Sequence, residues 1–266
     1  PENLNGDREV YSNDLMRDFA LDFIRDHREG PFFLYLPFTI PHALMEVPSV
    51  GEYADKNWPK DAKIYAAMVS RLDGYIGEIV EKLERLGLAE NTLVFFTSDN
   101  GAVGNERTEF LDSAARMRGS KGTVYEGGLR VPLVAKWPKM IEAGGSDDTP
   151  WMFIDVAPTL AELSGASLPA DLDGVSLLPT LLGERQDGLS ERFLYWEYPR
   201  RRLWQAGRSG KWKAVRYGMD GAIELYDLEA DPQESEDVSS RNTELVQEFE
   251  KWFNAEHIPS PHWPVH

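Results

Sequence analysis

The sequence contains no cysteine. That absence excludes disulfides, thiolate-bound zinc or iron–sulfur centres, and any nucleophile derived from a cysteine of this chain. There is also no apolar run near the roughly 18 residues that a membrane-spanning helix needs. Basic residues are scarce: 28 Lys and Arg stand against 45 Asp and Glu, a net charge of −17. A surface of that sign repels phosphate backbones and anionic lipid, so nucleic-acid and membrane partners are disfavoured. Pro1 to Val10 has no basic stretch and no apolar core of a signal peptide. Internal repeats, low-complexity tracts and Asn-x-Ser/Thr acceptors are missing too. What is present suffices for a globular core of one or two domains, since 42% of the 266 residues are hydrophobic and 11% aromatic.

Helical and strand periods alternate through the first two thirds. Ser12 is expected to cap a helix reaching about Glu29, with Gly30 as its terminating glycine. Phe32–Leu36 reads as a strand buried on both faces. A long amphipathic helix runs from about Pro59 to Leu86 and stops at Gly87. Thr92–Thr97 and Leu129–Trp137 are further strands, and Asp155–Ser164 a short helix. This alternation predicts an α/β fold with a mainly parallel sheet flanked by helices. After Leu182 the texture changes. Phe193–Tyr198, Lys211–Tyr217 and Ala222–Leu228 are aromatic-rich and separated by turn signals, which predicts a small antiparallel sheet. A helix over about Asn242–Ala255 follows, then a tail with His257, His262 and His266 that is expected to be plain and loosely held. The boundary is placed between residues 182 and 183, giving a segment 1–182 and a C-terminal α+β subdomain 183–266.

In open α/β sheets, ligands bind beyond the carboxyl ends of the strands. Two strand candidates end there in polar residues: one delivers His42, the other Asp99 and Asn100. A carboxylate beside an amide oxygen offers hard donors suited to calcium or magnesium, although Asp-Asn-Gly is equally a turn signal. His42 reads as a proton donor or anion ligand in that setting, or otherwise as a structural histidine. Gly119-Ser120-Lys121-Gly122 offers close backbone approach and an ammonium group for an anion, or a flexible loop with a solvated charge. Between Pro199 and Met219 every charged residue is basic: Arg200, Arg201, Arg202, Arg208, Lys211, Lys213 and Arg216. This reads either as a basic rim for a polyanion or as a solvated strand face. Glu197 and Arg200 are candidate pocket-lining residues beside it.

The run Thr92–Gly101 (TLVFFTSDNG) followed by Gly119–Pro132 (GSKGTVYEGGLRVP) resembles the type I, formylglycine-dependent sulfatase family. Pro37-Phe38 with Pro41-His42, Leu72-Asp73 with Ile76-Gly77, Asp155–Leu160, and Leu225–Leu228 with Asp231-Pro232 and Glu234 match the same family in order along nearly the whole chain. The resemblance implies an alkaline-phosphatase-like fold and hydrolysis of aryl or carbohydrate sulfate esters. It implies that Asp99 and Asn100 ligate one active-site calcium, with magnesium as the other hard cation of similar chemistry. His42 and Lys121 would bind the sulfate group and act in catalysis, with the cation, lysine and histidine offsetting charge on the sulfuryl oxygens. The implied partner is a sulfated small molecule or glycan, and export to the periplasm or beyond is the family's usual location.

The sequence departs from the family in one respect. The nucleophile in such enzymes is a formylglycine made from Cys or Ser in Cys/Ser-x-Pro/Ala-x-Arg, and neither version occurs here. The family's aspartate pair for the metal, its nucleophile loop and a further Lys/His pair would precede Pro1. The sequence is therefore expected to be the C-terminal half of a sulfatase, inactive by itself, with a missing N-terminal half as its partner, two calcium ligands instead of four, and exposed sheet edges. A non-catalytic fragment or pseudoenzyme is one alternative. A phosphatase or phosphodiesterase of the alkaline-phosphatase superfamily is another. It is disfavoured because Asn100 stands where those two-zinc enzymes carry histidine.

Overall fold

The computed structural model describes residues 9–42, 44–199 and 202–262. Contacts divide the chain into two compact units. One runs from the N-terminus through Val94 and takes in Lys136–Met140; the other comprises Phe95–Ala135 and the chain from Ile141 onward.

The first unit is built on two helices, α1 (Ser12–Asp26) and α2 (Lys60–Arg85). Ala20 and Ile24 of α1 pack with Ile79 and Leu83 of α2, the spacing expected for one apolar stripe on each helix. A polar clamp crosses the same pair. Arg71 grips both oxygens of Asp14 at 2.5 and 2.7 Å, the Tyr75 hydroxyl donates to the same carboxylate, and Arg17 pairs with Glu78 at 2.6 Å. Burial would raise the Asp14 carboxyl, but the Tyr75 and Arg71 donors outweigh it and hold the group below its ordinary value.

The ends of α1 differ from expectation. Tyr11, not Ser12, is the N-cap and makes no side-chain cap bond. The helix closes on His27 rather than at Gly30, because the His27 backbone N–H donates to the Phe23 carbonyl and the ring Nδ1 lies 2.8 Å from the same oxygen. For α2 the expectation holds. Gly87 adopts φ +71°, and the N–H groups of Gly87 and Leu88 turn back to the carbonyls of Glu84 and Leu83.

The strand expected at Phe32–Leu36 is not formed. The backbone is extended, but among the described residues it joins no ladder. Phe32, Leu34, Leu36 and Phe38 pack on the α1–α2 core, whereas Phe33 and Tyr35 are 69% and 76% exposed. A strand buried on both faces needs neighbours on each side, and only the inward alternate side chains find them.

β1 (Val94–Thr97) pairs with β2 (Leu133–Lys136), both belonging to the second unit except for Val94 and Lys136, and α3 (Glu106–Phe110) and α4 (Glu126–Leu129) lie between them in sequence. α5 (Val156–Ser164) and α6 (Leu178–Leu181) follow. Asp155, immediately before α5, is fully buried. It takes a two-pronged ion pair from Arg192 and the backbone N–H groups of Met152 and Val175. Buried charge of this kind requires such a full set of partners.

The antiparallel sheet expected after Leu182 is present with four strands, not three: β3 (Leu194–Pro199), β4 (Leu203–Ser209), β5 (Trp212–Tyr217) and β6 (Ile223–Asp227), in that spatial order. β4 was not foreseen, because Gln205, Gly207, Arg208 and Ser209 break the apolar signature. Its centre is nevertheless buried, and Gly207 is required there: a Cβ would stand 2.5 Å from the Phe193 ring and 2.7 Å from that of Phe253. One sheet face, with Ala214, Ile223 and Leu225, packs on Phe249 and Phe253 of α7 (Thr243–Glu256). The other, with Trp196, Ala206, Val215 and Tyr226, packs on Val124 and Tyr125.

Because both faces are covered, the reading of β5 as solvated or as part of a basic rim fails for two of its charges. Lys213 is fully buried between Glu126 and Glu234, at 2.7 and 3.0 Å. Arg216, 2% exposed, donates to Gln205 at 2.8 Å and Asn254 at 3.1 Å, and its burial lowers its pKa. Lys211 is tied to Asp227 at 2.6 Å.

Candidate functional site

The polar residues that follow β1 are held by backbone bonds and by short-range side-chain bonds, the Ser98 hydroxyl donating to the Asn100 carbonyl at 3.2 Å. Asp99 is exposed and Asn100 half-buried. The Asn100 amide Nδ2 donates to the Gly101 carbonyl at 3.1 Å, so it is the oxygen of the amide that is left to offer a cation. The Gly101 N–H donates to the Gly128 carbonyl at 3.0 Å, and the Lys121 N–H to the Ala102 carbonyl at 2.8 Å. These two bonds join the Asp99–Asn100 segment to both ends of the glycine-rich loop.

Glycine is obligatory in this knot. A Cβ on Gly101 would stand 2.0 Å from the Gly127 carbonyl oxygen. One on Gly127 would meet the carbonyls of Arg118 and Gly119 at 2.6 Å, and one on Gly128 that of Thr123 at 2.4 Å. Between them, Ser120–Thr123 makes a turn closed by the Thr123 N–H on the Ser120 carbonyl at 3.0 Å. Gly122 takes φ +84° as its third residue, a conformation that L side chains resist. Lys121 stands at the second position of that turn and is exposed.

The loop is fastened in turn to the four-stranded sheet. Arg118 lies 3.9 Å over the Tyr125 ring and donates to the Tyr226 hydroxyl at 2.7 Å and the Glu234 carbonyl at 2.9 Å. The hydroxyls of Tyr125 and Tyr226 both donate to Glu224 at 2.6 Å. Burial, then the Glu224 carboxylate, drives both phenols far above their ordinary pKa. Glu126 receives Lys213, and its backbone N–H donates to Glu234 at 2.7 Å. Burial raises the Glu234 carboxyl against the pull of Lys213. This network of Arg118, Glu126, Lys213, Glu224 and Glu234 was not read from the sequence as a unit. Its signal there was weak: an acid two or three residues past Asp-Pro and a lysine in an aromatic strand.

His42 belongs to the first unit and is exposed. It follows Ile40–Pro41, whose peptide bond is cis. The hold on this segment comes just before it: the Thr39 N–H donates to Asn13 Oδ1 at 3.1 Å, the Asn13 amide donates back at 3.2 Å, and Ile40 packs with Met68 and Tyr75.

The structure therefore brings Asp99, Asn100 and Lys121 into one backbone knot, with His42 on the other unit. Glu197 is not gathered with them. It accepts from Tyr195 at 2.6 Å and pairs with His257 at 2.8 Å, on the sheet face opposite the one that carries Tyr125. Arg200 lies outside the described residues. Among the described residues no group of three or more His, Cys, Asp or Glu could hold a metal ion. The donor chemistry of Asp99 and Asn100, a carboxylate beside an amide oxygen, suits a hard, oxygen-seeking cation. No helix among the described residues is long and apolar enough to cross a membrane.

Comparison with known proteins gives the family of the chain. Residues 2–166 match the Sulfatase family, and residues 120–257 match the family described as N-sulphoglucosamine sulphohydrolase, C-terminal. The chain is 35% identical to rat (Rattus norvegicus) steryl-sulfatase over 74% of its length, which is 35% of that protein. It is 32% identical to the N-acetylgalactosamine-6-O-sulfatase of Bacteroides thetaiotaomicron over 89% of its length, 49% of that protein. The crystal structure of Ps i-CgsB in complex with k-i-k-neocarrahexaose superposes with a TM-score of 0.82 at 30% identity, covering 96% of this chain and 57% of that one. The chain thus spans about a third to a half of the length of the curated relatives it matches. With its alkaline-phosphatase-like fold and its Asp-Asn-Gly and glycine-rich segments tied into one knot, the chain belongs to the sulfatase family.

Proposed function

We propose that this chain forms part of the active site of an enzyme that hydrolyses sulfate esters. The observation that carries the reading is the pair of backbone bonds, Gly101 to Gly128 and Lys121 to Ala102, which join the turn of Lys121 to the chain that follows Asp99 and Asn100. Asp99 and Asn100 would hold calcium, or magnesium, as hard oxygen donors. Bound there, the cation supplies positive charge toward a sulfuryl oxygen. Lys121, presented at the apex of a glycine-flanked turn, binds a sulfate oxygen and offsets charge developing near the ester oxygen. His42 binds the same group and can hold or give a proton.

The nucleophile comes from outside these 266 residues, which contain neither Cys nor Ser-x-Pro/Ala-x-Arg. Formylglycine, as in the family, would supply an oxygen nucleophile toward sulfur. A sulfated glycan is the favoured substrate class, since one similar protein is an N-acetylgalactosamine-6-O-sulfatase and another was crystallised with a neocarrahexaose. Residues 1–182 would then be the later part of the catalytic α/β domain and 183–266 its C-terminal subdomain, in a protein of the periplasm or secreted beyond it.

Turnover of 4-nitrophenyl sulfate tests this. The expected result is none for these 266 residues alone, and activity abolished by EDTA for a protein that joins them to a Cys/Ser-x-Pro/Ala-x-Arg segment. Turnover by the 266 residues would defeat the missing-nucleophile argument. Absence of the motif from the adjoining coding sequence would favour a non-catalytic role. Preference for 4-nitrophenyl phosphate would favour the phosphatase class.

A further inference from the structure

The most unusual feature outside the candidate site is a buried cationic centre on β5. Lys213 has no exposed surface, and the two carboxylates it pairs with come from remote points of the chain. Glu126 begins α4, inside the glycine-rich loop, and Glu234 lies beyond β6 with φ +55°. The three groups are cross-bonded, because Glu234 also accepts the Glu126 backbone N–H at 2.7 Å. The next two residues after Glu126 make the bonds that define the loop. The Gly127 N–H donates to the Arg118 carbonyl at 2.7 Å, and the Gly128 carbonyl accepts the Gly101 N–H. A continuous path of short bonds thus leads from Lys213 through Glu126–Gly128 to Gly101, next to Asn100, and through Arg118 to the loop of Lys121.

We infer that Lys213 is a positioning residue: through its ion pairs with Glu126 and Glu234 it clamps the glycine-rich loop onto the C-terminal sheet and so sets the placement of Asn100 and Lys121. This rests on the sulfatase reading for its catalytic consequence, though not for the clamp itself. A buried cation with two carboxylates is a poor device for stability alone, since apolar residues of the same volume often serve as well. Its distinctive property is direction. It fixes where Glu126 can sit, and misplacement of a catalytic group by about 1 Å is enough to cost on the order of a hundredfold in rate.

The test compares Glu126→Gln, which leaves Lys213 paired with Glu234, with the neutral triple variant Glu126→Gln, Lys213→Met, Glu234→Gln. Hydrogen exchange is read at the amides of Gly101, Lys121, Gly127 and Gly128 against those of β3–β5. The expected result in both variants is exchange about tenfold or more faster at the four loop amides, with sheet protection and melting temperature kept, as for a local opening. Unchanged loop protection in the single variant overturns the inference, even if the triple variant does not fold. In the protein that carries the nucleophile segment, kcat is expected to fall about tenfold or more, with KM within about threefold, as for loss of an interaction made in the transition state. A variant that melts earlier yet keeps wild-type kcat would reduce Lys213 to a structural role and overturn the inference. If the unmutated protein turns over no sulfate ester, the functional reading fails instead, and the exchange measurement still decides the clamp.

Discussion

Two segments carry the side chains proposed to meet the sulfate, and they are built by different rules. Arg118–Gly128, with Lys121, is held on every side: by backbone bonds to Gly101 and Ala102, by three glycines that admit no Cβ, by the Glu126–Lys213 ion pair, and by the Glu126 N–H donated to Glu234. Pro31–His42 is held on one side. Its even-numbered apolar residues face the α1–α2 core, Phe33 and Tyr35 face outward, and its polar anchor is the Asn13–Thr39 pair. The first segment is fixed by its own unit at the level of the backbone. In the second, side-chain packing and the Asn13 amide do this work. Preorganisation of Lys121 is therefore built into the backbone of its own unit, whereas the segment that carries His42 leans on Asn13.

The contrast can be broken from either end. The largest effect is expected for Gly101→Ala, whose methyl would enter the Gly127 carbonyl; overpacking of this severity should cost about 3 kcal/mol in urea unfolding. Asn13→Ala leaves the Thr39 N–H without its acceptor and should cost about 1–2 kcal/mol, with increased proteolytic cleavage confined to the region of residues 31–42. Acid should act through Asp14. Its folded pKa lies below the unfolded value, so its contribution is complete above about pH 4 and is lost as pH falls through the folded value. Asp14→Asn should accordingly lower melting temperature at neutral pH and flatten its decline in acid. The smallest effect belongs to Phe33→Ser, on a residue 69% exposed, which should stay within about 0.5 kcal/mol of wild type. A large loss there would mean that the outward face of the segment is packed.

The same contrast explains what could be read in advance. α2, α5 and α7 were legible because apolar residues recur at helical spacing and glycines stop two of the three. β3, β5 and β6 were legible from aromatic runs between turn signals. β4 was not, since a central strand that must pass beside Phe193 and Phe253 needs Gly207, and glycine reads as a break. Phe32–Leu36 had strand composition, but a ladder depends on neighbours that local sequence does not specify. In the site, Asp99, Asn100, Lys121 and His42 stood out by motif. Lys213 and Arg216 were misread because lysine and arginine in a strand ordinarily mean solvent, and only tertiary structure reveals that Glu126, Glu234, Gln205 and Asn254 converge on them. Glu197 was assigned to a pocket by proximity in sequence, whereas strand alternation turns it to the α7 face, where it meets His257.

The most direct measurement of the central claim is a calcium titration of the protein that joins these residues to a nucleophile segment, made on wild type, Asp99→Ala and Lys121→Ala. Asp99→Ala should weaken calcium binding by at least the roughly 10–100-fold that loss of even an outer partner costs a metal site. Lys121→Ala should leave calcium affinity within about threefold while abolishing measurable 4-nitrophenyl sulfate turnover, since it removes a sulfate contact rather than a ligand. Wild-type calcium affinity in Asp99→Ala would contradict the account.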